Sequence, residues 1–404
     1  MKSFTLELSA LLALIRSSLW SAAGELPQAD WAAVEKLAMD QGVLWMLYPG
    51  AKHYPQQIPA EYMRSWRSAL HAGVLKNDRI NAVQKEMLAW LAQREIPAVI
   101  LKGTSCARCY PFPEARTLGD IDLLVAPNHL QTVGAYLEAQ GFASADKDNV
   151  LHASYHRHGV VVEVHRTASS APDSAGGRIV EEAMSHFLDD IRLAEIADMQ
   201  FPVLSDANQA LMLLLHMERH MILGGIGLRQ LCDWAAFVHA SDAAHWENAS
   251  IALLKKCGLF IYAQVITKAC VKYLGLDADH APWCHDAPDA LVDDLWEDMM
   301  RGGNLGKADA ESSSGMFTDR NMLGSKKQSA LLGLISALNA LTYKHFPAIR
   351  HCKILLPFFW IFLPARYMLR SLLGLRPRKN VVNVLAASNT RYELYKKLHL
   401  YESE

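Results

Sequence analysis

The run Gly119-Asp120-Ile121-Asp122-Leu123-Leu124-Val125 is reached from Leu101-Lys102-Gly103-Thr104 through a loop that carries Arg116. Alternation along a β-strand predicts that Asp120 and Asp122 share one face, while Ile121, Leu123 and Val125 turn to the other, where they can be buried. Two carboxylates held that close raise each other's pKa unless a cation stands between them. Magnesium is the natural cation: it takes hard oxygen ligands, keeps several waters, and is commonly shared between one or two carboxylates and substrate phosphates. Taken alone, an Asp-x-Asp pair is more often a solvated surface feature. Its context argues otherwise. Upstream, Pro97-Ala98-Val99-Ile100-Leu101 is a short apolar strand ending at Lys102-Gly103-Thr104-Ser105, ahead of a helical turn. Glycine there lets backbone approach a phosphate, and the N–H groups that open a helix favour an anion. Strand, small-residue turn, cation and acidic strand make one phosphate-and-metal pocket.

These residues resemble the polymerase-β-like nucleotidyltransferase superfamily, in particular the bacterial branch described as uncharacterised nucleotidyltransferase. The resemblance rests on Leu101, Lys102, Gly103, Tyr110, Pro111, Pro113, Arg116, Asp120 and Asp122. It extends to abortive-infection toxins with a Lys-Gly-Gly motif. Two features depart from the pattern: Thr104 stands where many relatives carry Gly or Ser, and the stretch from Gly103 to Asp120 is long. The superfamily supplies a third carboxylate from a later strand, and Val160-Val161-Val162-Glu163-Val164-His165-Arg166 offers Glu163, with His165 on the same face. Ser154-Tyr155-His156-Arg157-His158-Gly159 reads as the partner strand and turn of a hairpin. A helix from Pro127 to Gly141 completes a β-α-β-β order.

The resemblance implies transfer of a nucleoside monophosphate from an NTP to an acceptor hydroxyl, with pyrophosphate released. Asp120, Asp122 and Glu163 would hold two Mg2+ ions, or Mn2+ in their place, that clamp the attacking and leaving oxygens. Glu163 is also the candidate base for the hydroxyl proton. Lys102, Gly103, Thr104 and Arg116 are the nucleotide-side candidates, Lys as a point charge and Arg as a planar fork. For Arg116 an ion pair that fixes the loop is an equal reading. His216, His220 and Arg229 form a second constellation, expected either to line the nucleotide or acceptor cleft or to join a buried network tying two helices. Within it Arg229 and Asp233 stand one turn apart, close enough to pair. His216-Met217-Glu218-Arg219-His220 is not a zinc-protease helix, because its glutamate is one position too late.

The remaining chain must position these groups. With 404 residues, 51% of them hydrophobic and 20% charged, the protein can bury a sizeable core. A net charge of −2 provides no global footprint for nucleic acid. Seven scattered cysteines argue against a secreted disulfide framework, and Cys106 and Cys109 read as small helix-face hydrophobes rather than zinc ligands. The N-terminus reads as an amphipathic helix and not a signal peptide, so the expected location is the cytoplasm. Helical spacing covers residues 4–22, 30–48 and Ala60 to Arg94, whose last turns are expected to pack on the sheet. Further helices are expected at Ser205 to Met221, at Gly227 to His239 and within 241–302.

The expected fold class is α+β: a small mixed sheet embedded in a mostly helical chain. It divides into an N-terminal helical region (1–94), a catalytic core (95–200), a helical domain (201–302), a flexible loop or linker (303–326) and a C-terminal helical region (327–404). The tail Ile354 to Pro364 is apolar, about half the length of a bilayer span, and followed by Arg366, Arg370, Arg376, Arg378 and Lys379. It is expected to pack internally, with peripheral membrane contact as the other reading. The acceptor is expected among small molecules, RNA or protein. The alternatives to a simple transferase are a toxin-like enzyme acting on tRNA or protein, a silent nucleotide-binding scaffold, and a membrane-associated accessory factor.

Overall fold

A computed structural model describes residues 4–146, 151–223, 225–241, 246–302, 352–372, 391 and 393–402, with isolated positions between 338 and 349. The linker expected at 303–326 lies outside the described residues, as do Arg376, Arg378 and Lys379. The fold is α+β. Four helices, α1 (Leu6–Trp20), α2 (Trp31–Asp40), α3 (Leu47–Ala51) and the long α4 (Ala60–Ala92), precede the first strand. Side-chain caps start the first two: Thr5 accepts from Leu8 N–H, and Asp30 from Ala32 and Ala33.

The sheet is built from β1 (Ala98–Ile100), β2 (Ile121–Val125), β3 (Ala143–Asp146), β4 (His152–Arg157) and β5 (Val160–His165), in the order β1-β2-β5-β4-β3. β2 and β5 run parallel, and the other pairings are antiparallel. A short helix α5 (Thr104–Ala107) follows β1, and α6 (Leu130–Ala139) crosses over from β2. His158 and Gly159 form the β4–β5 turn, both with positive φ as a two-residue hairpin loop of primed type requires. The register fixes the site: parallel pairing sets Asp122 beside Glu163, and the hairpin sets Ser154 opposite Glu163 and His152 opposite His165.

Period-two alternation divides β2 between two cores. Ile121, Leu123 and Val125 join Val160, Val162 and Val164 of β5 on one face, covered by Ile80, Met87 and Leu91 from the later turns of α4. Leu124, on the face that Asp122 shares, belongs instead to the helical core. That larger core gathers α1, α2 and the Trp66 end of α4 with the helices after the sheet, so segments separated by the whole catalytic region pack together. Fully burying a side chain such as Leu123 stabilises by about 1.5–3 kcal/mol.

After the sheet come α7 (Ala175–Ser185), a separate hairpin of β6 (Ile191–Ile196) and β7 (Met199–Leu204), then α8 (Asp206–Leu223), α9 (Leu228–Ala240), α10 (Ile251–Lys256), α11 (Phe260–Ala269) and α12 (Asp289–Gly302). β3, α7 and the β6–β7 hairpin were not anticipated from sequence. Helix α13 (Leu356–Leu372) runs through Pro357 and Pro364 of the apolar tail. Pro357 occupies the first turn, where no N–H is needed. Leu356 and Leu363 are buried, while Ile354, Phe358 and Ile361 are 86%, 60% and 75% exposed. The tail therefore packs through one side and presents the other to solvent. No described helix is long and apolar enough to cross a membrane.

Candidate active site

Each side chain is set by the strand or turn that carries it. Asp120 immediately precedes β2 and Asp122 lies within it. Leu101 N–H donates to Asp122 O at 3.0 Å, extending the β1–β2 ladder by one residue and bringing Lys102 alongside. Gly103 then reverses the chain at φ +64°, ψ −111°, a conformation that side-chain-bearing residues rarely adopt. α8 holds this turn, because Gln209 Nε2 donates to Leu101 O at 3.1 Å. On the other side, Asn77 of α4 clamps the loop before β2, donating to Arg116 O and accepting from Leu118 N–H, both at 3.2 Å.

Asp120, Asp122 and Glu163 each bring a carboxylate oxygen within 4.8 Å of the other two. The half-buried Lys102 ammonium lies 2.8 Å from Asp122 Oδ1. His165 Nε2 approaches the same oxygen at 3.0 Å and Glu163 Oε2 at 3.4 Å, and His152 Nε2 stands 3.5 Å from Glu163 Oε1. Burial works against ionisation of Asp122, but Lys102 and His165 outweigh it and hold its carboxyl far below the usual range. Glu163 is likewise held down: burial opposes, and the His165 hydrogen bond prevails. Asp120 moves the other way, pushed up first by the charge of Asp122 and then by burial. Lys102 would lose its proton to burial but keeps it more tightly than usual beside Asp122 and Asp120. Three carboxylates thus face one lysine and a histidine, a shortage of positive charge that a cation would relieve.

The family comparison agrees with this geometry. Residues 27–275, more than half of the chain, match the model of a family described as uncharacterised nucleotidyltransferase. The chain belongs to that family. No curated protein matches the chain. The matched span takes in the sheet, the carboxylates and the helices α8 and α9, and assigns the protein the general chemistry of nucleotidyl transfer.

The other sequence-derived candidates are distributed unevenly around this nucleotidyltransferase site. His216 and His220 of α8 stack edge to face, with ring centroids 4.4 Å apart, close enough to Lys102 and Asp122 to feel both charges. Arg229, at the start of α9, is near enough to feel Asp120. Its buried Nε has no hydrogen-bond partner among the described residues. The expected Arg229–Asp233 pair gives way to another: Asp233 takes both Arg116 Nε (3.1 Å) and Nη2 (2.8 Å), together with the Tyr110 hydroxyl (2.8 Å). Arg116 Nη1 donates to Thr117 O. The fork of Arg116 is thereby committed to fixing the loop, the equal reading of that residue. Thr104 directs its hydroxyl to Gln84 Oε1 of α4 at 3.1 Å, leaving only its backbone toward the Gly103 turn. Cys106 is buried and Cys109 half-buried, and burial raises both thiols, that of Cys109 to about 11.

Sequence reasoning did not assign His165 or His152 to the site. His165 shares a strand face with Glu163, two residues on. His152 follows from counting ladder pairs back from the His158-Gly159 turn, which was within reach of the sequence.

The α8 histidines carry a pH prediction. Burial lowers both rings below the ordinary histidine value of 6.5, His220 to about 4 with Lys102 and Arg219 adding to the shift. Neutral in the fold and protonated when unfolded, they contribute stability that is whole above pH 6.5 and lost as pH falls toward 4. Urea midpoints should fall over that window, and His220→Asn should make the fall shallower. An unchanged slope in the variant would remove the assignment.

Proposed function

We propose that the chain moves a nucleoside monophosphate from an NTP to an acceptor hydroxyl at the surface formed by Asp120, Asp122, Glu163 and Lys102. The observation that carries this reading is the convergence of three carboxylates beside a half-buried ammonium, in a chain of a nucleotidyltransferase family. An all-oxygen donor set suits a hard divalent cation, and repulsion from Asp122, which raises the carboxyl of Asp120, is what a cation there would relieve. Asp120 and Asp122 would hold the ion on the triphosphate side, and Glu163 would contribute to a second on the acceptor side. Bound Mg2+, with Mn2+ as substitute, supplies charge neutralisation of the phosphates and polarisation of the acceptor hydroxyl.

The chain's own groups do the rest. Lys102 offers a fixed point charge to a phosphate oxygen, and the Gly103 turn admits backbone close to it. Arg229, with a buried nitrogen to satisfy, is the second cation for the triphosphate. His216 and His220, neutral at pH 7, can only donate or accept hydrogen bonds there. Glu163, held ionised, takes the proton as the acceptor oxygen bonds to the α-phosphorus. The bond from that phosphorus to the bridging oxygen breaks, and pyrophosphate leaves with its electron pair.

The test is incubation with each α-labelled NTP, Mg2+ and separate pools of RNA, protein and small molecules. Label should transfer with wild type and not with Asp120→Asn/Asp122→Asn. Nucleotide binding by calorimetry without transfer to any pool would make the protein a silent scaffold instead.

The exposed side of α13 supports peripheral contact with an anionic membrane. Ile354, Phe358 and Ile361 project there, with Lys353 and Arg366 exposed at the flanks. The chain should co-sediment with vesicles containing phosphatidylserine, and Phe358→Asp/Ile361→Asp should stay in the supernatant. Equal sedimentation of both proteins would refute the contact.

A further inference from the structure

The hairpin that supplies Glu163 also sets two imidazoles around it, and the acidic triad makes no use of them. His152 of β4 and His165 of β5 are paired across the ladder, and Glu163 lies two residues before His165 on the same face. One ligand atom from each of the three lies within 4.8 Å of the other two. Glu163 presents one oxygen to each ring, Oε1 to His152 Nε2 at 3.5 Å and Oε2 to His165 Nε2 at 3.4 Å. A tetrahedron of nitrogen and oxygen ligands about 2.1 Å from its centre has edges of about 3.4 Å. The two contacts between Glu163 and the imidazoles therefore match the separation of neighbouring ligands around a small divalent ion. They are wider than an optimal charge-assisted hydrogen bond, which closes to about 2.8 Å. All three side chains are mostly shielded, at 14%, 22% and 7% exposure.

We infer that His152, Glu163 and His165 form a nitrogen-bearing site for a divalent transition cation of the Zn2+ kind, distinct in chemistry from the Asp120–Asp122 position and joined to it through Glu163. Imidazole is a poor ligand for Mg2+ and a good one for first-row transition ions. The two positions of the centre are then unequal, one hard and oxygen-only, the other borderline. His165 adjoins both positions, since its Nε2 reaches Asp122 Oδ1 at 3.0 Å, a hydrogen bond that a cation on that nitrogen would replace. The inference deepens the proposed transferase site but does not require it, because cation binding to these residues stands whether or not nucleotide is transferred.

The experiment titrates the full-length protein with Co2+ at pH 7 in 10-fold to 1,000-fold excess of Mg2+, reading the visible d–d absorption. A parallel Zn2+-loaded sample is measured by X-ray absorption at the zinc edge. One Co2+ should bind despite the Mg2+, the zinc spectrum should show two imidazoles, and His152→Gln should lower Co2+ affinity at least tenfold. Asp120→Asn should keep the Co2+ band while losing transfer. Displacement of Co2+ by Mg2+, a zinc shell without imidazole, or unchanged affinity in a folded His152→Gln protein would each overturn the site. Should that variant not fold, the zinc spectrum of the wild type decides alone. Transfer supported by Mg2+ with no Co2+ bound would reject this inference and keep the transferase reading; the reverse result would do the opposite.

Discussion

Asp120→Asn is expected to lower metal-dependent transfer on the order of 1,000-fold, about 4 kcal/mol of transition-state stabilisation, without lowering the melting temperature in metal-free buffer. The two halves of this result have different causes. Asp120 and Asp122 lie two residues apart on one strand face, but it is Asp122 that takes the Lys102 ammonium and the His165 ring. Asp120 gains least from its ionisation, since the charge of Asp122 pushes its pKa up. An amide there removes repulsion and a metal ligand together. Asp122→Asn should abolish transfer as well, yet it takes the buried carboxylate from the half-buried Lys102 and from His165, so its melting temperature should fall by several degrees. Comparing the two proteins by differential scanning fluorimetry with EDTA, and by labelled-NTP transfer with Mg2+, separates ligand loss from structural damage. Retained activity in Asp120→Asn would end its role as a ligand, and an equal drop in melting temperature for both variants would end the charge account.

Much of the carboxylate geometry is legible in the sequence, because it depends on strand alternation and on a hairpin turn. Asp122 and Glu163 each sit among β-branched and leucine residues in short apolar runs, and His158-Gly159 marks the turn. From that turn the ladder pairs Arg157 with Val160 and, five steps on, His152 with His165. The β6–β7 hairpin is harder to see, because its turn places Ala197, not glycine or asparagine, at positive φ, and no residue of β6 is fully buried. β3 is an edge strand of Ala, Ser and Asp with no β-branched residue. In α7, Gly176 and Gly177 look like a helix breaker. At Gly176 the glycine answers a close approach instead, since a Cβ would stand 2.2 Å from the Tyr401 carbonyl oxygen. That contact lies more than two hundred residues away along the chain, and no local pattern announces it.

The same limit hid the partner of Asp233, whose helical neighbour Arg229 was the natural choice. Asp233 instead reaches more than a hundred residues back to Arg116 and Tyr110. Tertiary packing overrides the one-turn spacing here, because the α9 face that carries Asp233 is pressed against the loop leading into β2. The Arg116 guanidinium, buried beside Asp233, is held protonated more firmly than a free arginine: burial opposes, and the carboxylate prevails. Its hydrogen bonds tie the Asn77-clamped loop to the helical core, so the pair positions Asp120 at a distance.

Removing one partner from such a buried pair leaves the other charge uncompensated, which typically costs about 3–5 kcal/mol. Arg116→Met and Asp233→Leu should each lose stability of that size in urea unfolding. The double variant Arg116→Met/Asp233→Leu should lose clearly less than their sum, because it buries no lone charge. Its kinetics then decide what Arg116 does in the folded enzyme. As a loop-fixing residue it should leave the KM for NTP nearly unchanged and lower kcat, through looser placement of Asp120. A residue gripping triphosphate would raise KM tenfold or more, about 1.4 kcal/mol of lost binding. That outcome, measured on a double variant shown to be folded, would return Arg116 to the nucleotide and require its fork to leave Asp233 when substrate binds.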